Sequence, residues 1–270
     1  MRRGMALRAA AVLGLAAAFA LPALAQKSTA DAINQYRALL ADGNPAELWE
    51  AKGEALWKQK RGPKNASLEA CDLGKGPGVA KGAFVELPRF FADTGKVQDL
   101  ESRLLSCLQM LQGFDAAAIA ATPFGRGEQV TLEALVAFVA AESRGLKFRL
   151  PQGHAEERKM LEVGRRLFFF RAGPYDFSCA SCHGEDGKRI RLQDLPNLTK
   201  NPGDGIGFAA WPAYRVSSGE LWGMQRRLND CFRQQRFPYP GYASEVTVAL
   251  AVYMGVKSEG AASVAPSIKR

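Results

Sequence analysis

Cys179-Ala180-Ser181-Cys182-His183 is a C-x-x-C-H run, the pattern by which c-type haem is attached. Two thiols at this spacing each add to one vinyl group of the same porphyrin. The adjacent histidine is then aimed at the iron as its proximal ligand. A zinc site would need two further ligands, and the only other histidine of the chain is His154. The run is read as the site of covalent haem, with Cys179, Cys182 and His183 as its residues.

Export agrees with that chemistry. Arg2, Arg3 and Arg8 give a basic start, Val12 to Ala20 form a short apolar run, and Ala23-Leu24-Ala25 offers an A-x-A cleavage site. Residues 1–25 are therefore expected to be a signal peptide, too short in its apolar run to remain as a membrane anchor. The expected compartment is the periplasm, where haem is attached in bacteria and disulfides persist. The 270-residue chain carries a net charge of +9; cleavage would leave 245 residues at +6. A modest positive field favours anionic substrates or acidic partner proteins. Nucleic acid is set aside, because the basic residues are scattered and the protein is exported. Of five cysteines, two go to haem, leaving Cys71, Cys107 and Cys231. An odd remainder suggests one disulfide and one special thiol.

Reading outward from the motif shows an internal duplication. Gly53, Leu56, Trp57, Gly62-Pro63, Ser67 and Cys71 recur as Gly164, Leu167, Phe168, Gly173-Pro174, Ser178 and Cys182, at a constant offset of 111. Leu87-Pro88 is matched to Leu195-Pro196, and Arg103-Leu104-x-x-Cys107 to Arg227-Leu228-x-x-Cys231. Glu133 to Ala140 is matched to Glu245 to Val252. Ordered recurrence of this kind points to two related units. The predicted fold is mainly α: two tandem cytochrome c-like domains over 26–145 and 146–270, joined by a linker at Gly145 to Gly153. In the second, Glu156 to Arg171 is the expected opening helix, with Leu161, Gly164, Leu167 and Phe168 on one face. Gly164 would admit a close neighbour such as Tyr253 of the closing helix; Gly53 and Phe138 would do the same in the first.

The register also predicts which half holds haem. Opposite Cys179, Cys182 and His183 stand Leu68, Cys71 and Asp72. One attachment cysteine and the iron histidine are missing, so the first half is expected to have lost its haem, leaving one per chain. Cys71 and Cys107 would then flank the vacated space. A disulfide between them would close a loop of about 37 residues, for roughly 4 kcal/mol by the chain-entropy model.

Ser217 to Gln235 is read as a helix with Leu221, Met224, Leu228 and Cys231 on one face and Arg227 one turn before Cys231. Arg226, Arg233 and Arg236 add positive charge. A nearby iron or cation favours thiolate, the form that ligates and attacks, and an arginine can hold an oxyanion by paired hydrogen bonds. Two alternatives stand beside this: Cys231 as a small buried hydrophobe, and Met224 or Met254 as distal ligand of a plain electron-transfer cytochrome. A haem peroxidase is weaker still, with no distal histidine beyond His154.

Across the mature chain the paired halves, the single intact haem motif and Arg227-Leu228-Asn229-Asp230-Cys231 resemble the SoxA family, the cytochrome subunit of the SoxAX complex of bacterial sulfur oxidation. Leu68 and Asp72 set it with the single-haem members. The resemblance implies that Cys231 is the distal haem ligand, modifiable to a persulfide, and that Arg227 faces the substrate. It further implies the oxidative joining of thiosulfate to a cysteine of a SoxYZ carrier protein. Electrons would leave through haem to a partner cytochrome, SoxX.

Overall fold

The computed structural model describes Gln35 and residues 43–190, 193–200 and 207–269. The expected signal peptide lies outside these. Among the described residues no helix is long and apolar enough to cross a membrane.

Helix α1 (Ala46–Lys58) opens the first half and α4 (Gly127–Ala141) closes it. Between them come the hairpin β1–β2 (Arg89–Phe91, Lys96–Gln98), α2 (Leu100–Cys107) running into a π-turn over Leu108–Gln112, and the short α3 (Ala116–Ala121). The second half likewise runs from an opening helix through a hairpin and the helix after it to a closing helix. It has α5 (Ala155–Phe169), α6 (Cys179–His183), the small β3–β4 ribbon (Arg189–Ile190, Gln193–Asp194), hairpin β5–β6 (Ala213–Arg215, Glu220–Trp222), α7 (Met224–Gln234) and α8 (Glu245–Lys257). A last strand, β7 (Ser267–Lys269), pairs in parallel with β5. The fold is mainly α, as expected.

Glycine sets how tightly the opening and closing helices meet. A Cβ on Gly53 would sit 2.0 Å from the Ala134 carbonyl oxygen and 2.8 Å from Phe138 Cβ. In the second pair, a Cβ on Gly164 would sit 2.0 Å from the Ala249 oxygen and 3.0 Å from Tyr253 Cβ. Only a residue without Cβ allows that approach. Trp57 on Phe138 and Phe168 on Tyr253, at 5.9 and 4.9 Å between centroids, extend each contact by a turn. These partners place Ala134 opposite Ala249, so Glu133 corresponds to Val248 rather than to Glu245. The glutamate shared by the two matched stretches is a coincidence of composition: Glu245 starts α8, whereas Glu133 is buried within α4.

Two further expectations are corrected. Leu87-Pro88 corresponds to Trp211-Pro212, because each pair leads directly into a hairpin, Arg89↔Gln98 in one and Ala213↔Trp222 in the other. That hairpin register carries Cys107 onto Cys231. The helix expected from Ser217 begins only at Met224; Glu220–Trp222 form β6, and a Gly219 turn with φ +68° precedes it. Leu221 is buried from a strand, which by chance continues the helical spacing of Met224 and Leu228.

Within residues 145–153, expected as a linker, Phe148 and Leu150 are buried in the core. Phe148 is fully buried, edge-on to Phe84 at 5.4 Å and to Phe208 at 5.5 Å. The Phe148 amide donates to the Ala261 carbonyl and the Arg149 amide to that of Val85. Glycine and proline at the ends suggested a loop, while the apolar alternation Phe148, Leu150 between them decides the packing.

Candidate haem and relay site

The haem motif is held by a turn and a cap. Ala172 and Phe177 bridge across a turn with Gly173 at φ +71° and Asp176 at φ +49°. Ser178 then caps α6, exchanging hydrogen bonds with Ser181 in a capping box. A Cβ on Gly173 would lie 3.1 Å from the Gln235 carbonyl oxygen, so the turn before the motif rests on the end of α7. That contact brings α7, with Arg227 and Cys231, to the motif.

His183 Nδ1 donates to the Pro196 carbonyl at 2.9 Å, since a carbonyl can only accept. This fixes the tautomer and leaves Nε2 with its lone pair for a metal. Burial pushes the His183 pKa down, and the Pro196 bond opposes it; the net shift favours the neutral form that a ligand needs. Leu195-Pro196 thus belongs to the histidine and has no need of a partner in the first half. There Asp72 stands in the histidine's place, and its Oδ1 accepts from the amides of Gly74 and Gly76, closing a turn.

Cys179, Cys182 and Cys231 are unbridged, whereas Cys71 and Cys107 form a disulfide. Burial pushes the Cys179 thiol up to about 12, and the charge of Cys231 adds to this. Desolvation also raises Cys231; Arg227 opposes it most, while Asp230 and Cys182 reinforce it. Charge interactions link Cys231 to Cys179, Cys182 and Arg227, and Arg227 to His183. Among the described residues no three His, Cys, Asp or Glu side chains converge closely enough for a bare metal ion. Two unbridged thiols at this spacing beside an imidazole whose Nε2 is left free fit covalent haem.

Equivalent arginines in the two halves have different surroundings. Arg103, opposite Arg227, is buried; its Nε donates to the Asp72 carbonyl at 2.6 Å and its Nη1 pairs with Asp93 at 2.9 Å. Arg227 is partly exposed, pairs with Asp230 at 3.2 Å and lies 5.9 Å over the Trp211 ring. Of the other cations expected nearby, Arg226 is buried away in ion pairs with Glu133, at 2.9 Å, and Glu220. Arg233 is exposed and binds Asp230, and Arg236 lies over Tyr175. Met224 opens α7 among Leu87, Leu100 and Trp211, and Met254 is buried in α8. His154 caps α5 and stacks on Phe90 at 3.7 Å. Sequence reasoning gave no role to Trp211 or Asp230 and matched Pro196 to Pro88. The available signal for Pro196 was a Leu-Pro pair 12 residues beyond Cys179-x-x-Cys182-His183, which its likeness to Leu87-Pro88 obscured.

Fold and motif together define the protein as a cytochrome of the c type, with covalently bound haem implied. Residues 52–148 match the family model for the SoxA/TsdA cytochrome c domain. The chain is 53% identical over 239 residues, 88% of each protein, to L-cysteine S-thiosulfotransferase subunit SoxA from Hydrogenophilus thermoluteolus. It is 30% identical over 264 residues, 96% of each, to a subunit of the same name from Hydrogenobacter thermophilus. Its fold matches the crystal structure of SoxXA from P. pantotrophus with a TM-score of 0.69 at 22% identity, over 84% of this chain and 79% of that one. The chain belongs to the SoxA family.

Proposed function

We propose that this protein is the haem-bearing subunit of an L-cysteine S-thiosulfotransferase, joining thiosulfate to a cysteine of a SoxYZ-like carrier in the periplasm. The observation that carries the reading is the placement of Cys231 and Arg227, one turn apart on α7, beside the only complete haem motif. The chain comprises a signal peptide, a first cytochrome c-like unit that has lost its haem, and a second that carries one haem. Cys179 and Cys182 would hold that haem by thioethers, and His183 and Cys231 would be the side chains that ligate its iron.

Bound haem supplies one-electron steps at the site. Arg227 binds the sulfonate end of thiosulfate by paired, charge-assisted hydrogen bonds and stabilises charge as the sulfur–sulfur bond forms. Cys231, as thiolate or persulfide, is the covalent sulfur relay between the anion and the carrier. The net change joins a carrier thiol to thiosulfate as a cysteine S-thiosulfonate, releasing one proton and two electrons. The electrons pass in turn to a SoxX-like cytochrome, with which the chain forms a heterodimer. Arg103 supports the assignment by contrast: at the same register, without a haem motif beside it, the arginine is consumed by backbone and Asp93.

Electron paramagnetic resonance of the purified complex tests the reading. A thiolate-type low-spin signal that Cys231→Ala removes, together with thiosulfate coupling, is the expected result. An unchanged signal and turnover would leave a methionine-ligated electron carrier as the better account.

A further inference from the structure

Helix α7 lacks a cap of its own. Gly223 occupies its N-cap position and offers no side chain to the first-turn amides. The acceptor comes instead from the other half: Glu101 Oε1, on α2, accepts from the Gln225 amide at 3.0 Å, and the Met224 amide also faces this carboxylate. A Cβ on Gly223 would lie 2.5 Å from the same oxygen, so the glycine is what lets the carboxylate in. Asp99 binds the next layer, its Oδ2 accepting from Gln225 Nε2 at 2.5 Å while its Oδ1 caps α2. Glu133 takes Arg226. Three acidic residues of the first half thus grip the first turn of the helix whose later turn carries Arg227 and Cys231. Glu101 and Gln225 are fully enclosed, where such a contact is least screened by solvent.

We propose that Glu101 is a positioning residue for the relay helix: its carboxylate, contributed by the first half, caps the N-terminus of α7 and so fixes Arg227 and Cys231 against the haem motif. An accepting carboxyl oxygen at that end satisfies amides that have no partner within the helix. The proposal assigns the first half a task that needs no haem. It rests on the assignment of Cys231 as distal ligand for its functional consequence, though not for the capping itself.

The test uses the haem-loaded complex with Glu101→Ala, Glu101→Gln and the double variant Glu101→Ala/Gly223→Ser. Removing the carboxylate opens the space that a serine at 223 needs, and serine there is a conventional N-cap. Glu101→Ala should lower hydrogen-exchange protection of the Gln225 amide about five- to tenfold. It should also split the low-spin haem signal into two populations and reduce turnover in proportion. Glu101→Gln, which keeps an accepting oxygen, and the double variant should restore a single wild-type population. Cys71→Ala/Cys107→Ala, which weakens the far end of α2, should leave the haem signal single. If Glu101→Ala leaves exchange and signal unchanged, the proposal falls. It also falls if the cysteine pair splits the signal equally, or if the serine fails to rescue. Should Glu101→Ala not fold, the double variant decides, since folding with a normal signal supports capping and failure overturns it. Absence of a thiolate-type signal in the wild type would instead remove the Cys231 assignment, with the Gln225 exchange result still deciding the cap.

Discussion

Gly164 and Ala249 touch backbone to backbone: a single added carbon on the glycine would lie 2.0 Å from the alanine's carbonyl oxygen. Neither main chain can yield without separating α5 from α8. Gly164→Ala should therefore cost about 3 kcal/mol or more, the upper end of overpacking penalties. Gly153→Ala, where a Cβ meets nothing within 4 Å, should stay within about 0.5 kcal/mol. Denaturant melts of the two variants check this; equal stabilities would refute the close approach.

Cys231→Ala should change the haem's low-spin signal and abolish thiosulfate coupling. Arg227→Lys keeps the charge and loses the planar fork, so the spectrum should persist while turnover falls about 30- to 1,000-fold, or about 2–4 kcal/mol. Arg226 variants should instead lower stability, because Arg226 is held by Glu133 and Glu220. A silent Arg227→Lys beside an Arg233 variant that loses activity with an intact fold would move the anion from Arg227 to Arg233.

Replacing both Cys71 and Cys107 by alanine should remove roughly 2–5 kcal/mol of stability. The optical and magnetic spectra of haem should not move, since the disulfide lies in the first half. Peptide mapping without reductant should recover the two cysteines linked and Cys231 outside that bridge.

Glu133 gives stability an unusual slope with pH. Burial raises its pKa to about 7, with Arg226 opposing the shift. A carboxyl with a raised folded pKa binds its proton more tightly in the native state. Its contribution is whole below the ordinary carboxylate range and is lost as pH rises through about 7. Glu133→Gln should flatten the decline in unfolding free energy between about pH 5 and 8 relative to wild type. A wild-type curve that rises across that window, with the variant parallel to it, would contradict the assignment.

How much of this could be read from sequence depended on whether the cause was local. The haem motif was legible because its chemistry lies within five residues, Cys179 to His183. Gly53 and Gly164 were legible because a glycine on an apolar helical face has few other uses. The Cys71–Cys107 bridge followed from register, which two cysteines at matched places preserve. The start of α7 was not legible, since Leu221 has the right spacing for either a helix or a strand. Pro196 was misassigned because the cause of its placement is a hydrogen bond to a ring 13 residues earlier. Phe148 and Glu101 were missed for one reason: each acts on a surface that sequence neighbours do not reveal.

Phe148 bears on how the molecule comes apart. Its ring is shared between Phe84 of one half and Phe208 of the other, and its main chain is tied to Ala261 and Val85. Neither half can melt alone without stripping this ring of its neighbours, which couples their unfolding. Heating should give a single calorimetric transition whose van't Hoff and measured enthalpies agree. Cutting the chain between Gly145 and Gly153 should yield fragments that remain associated and do not fold apart.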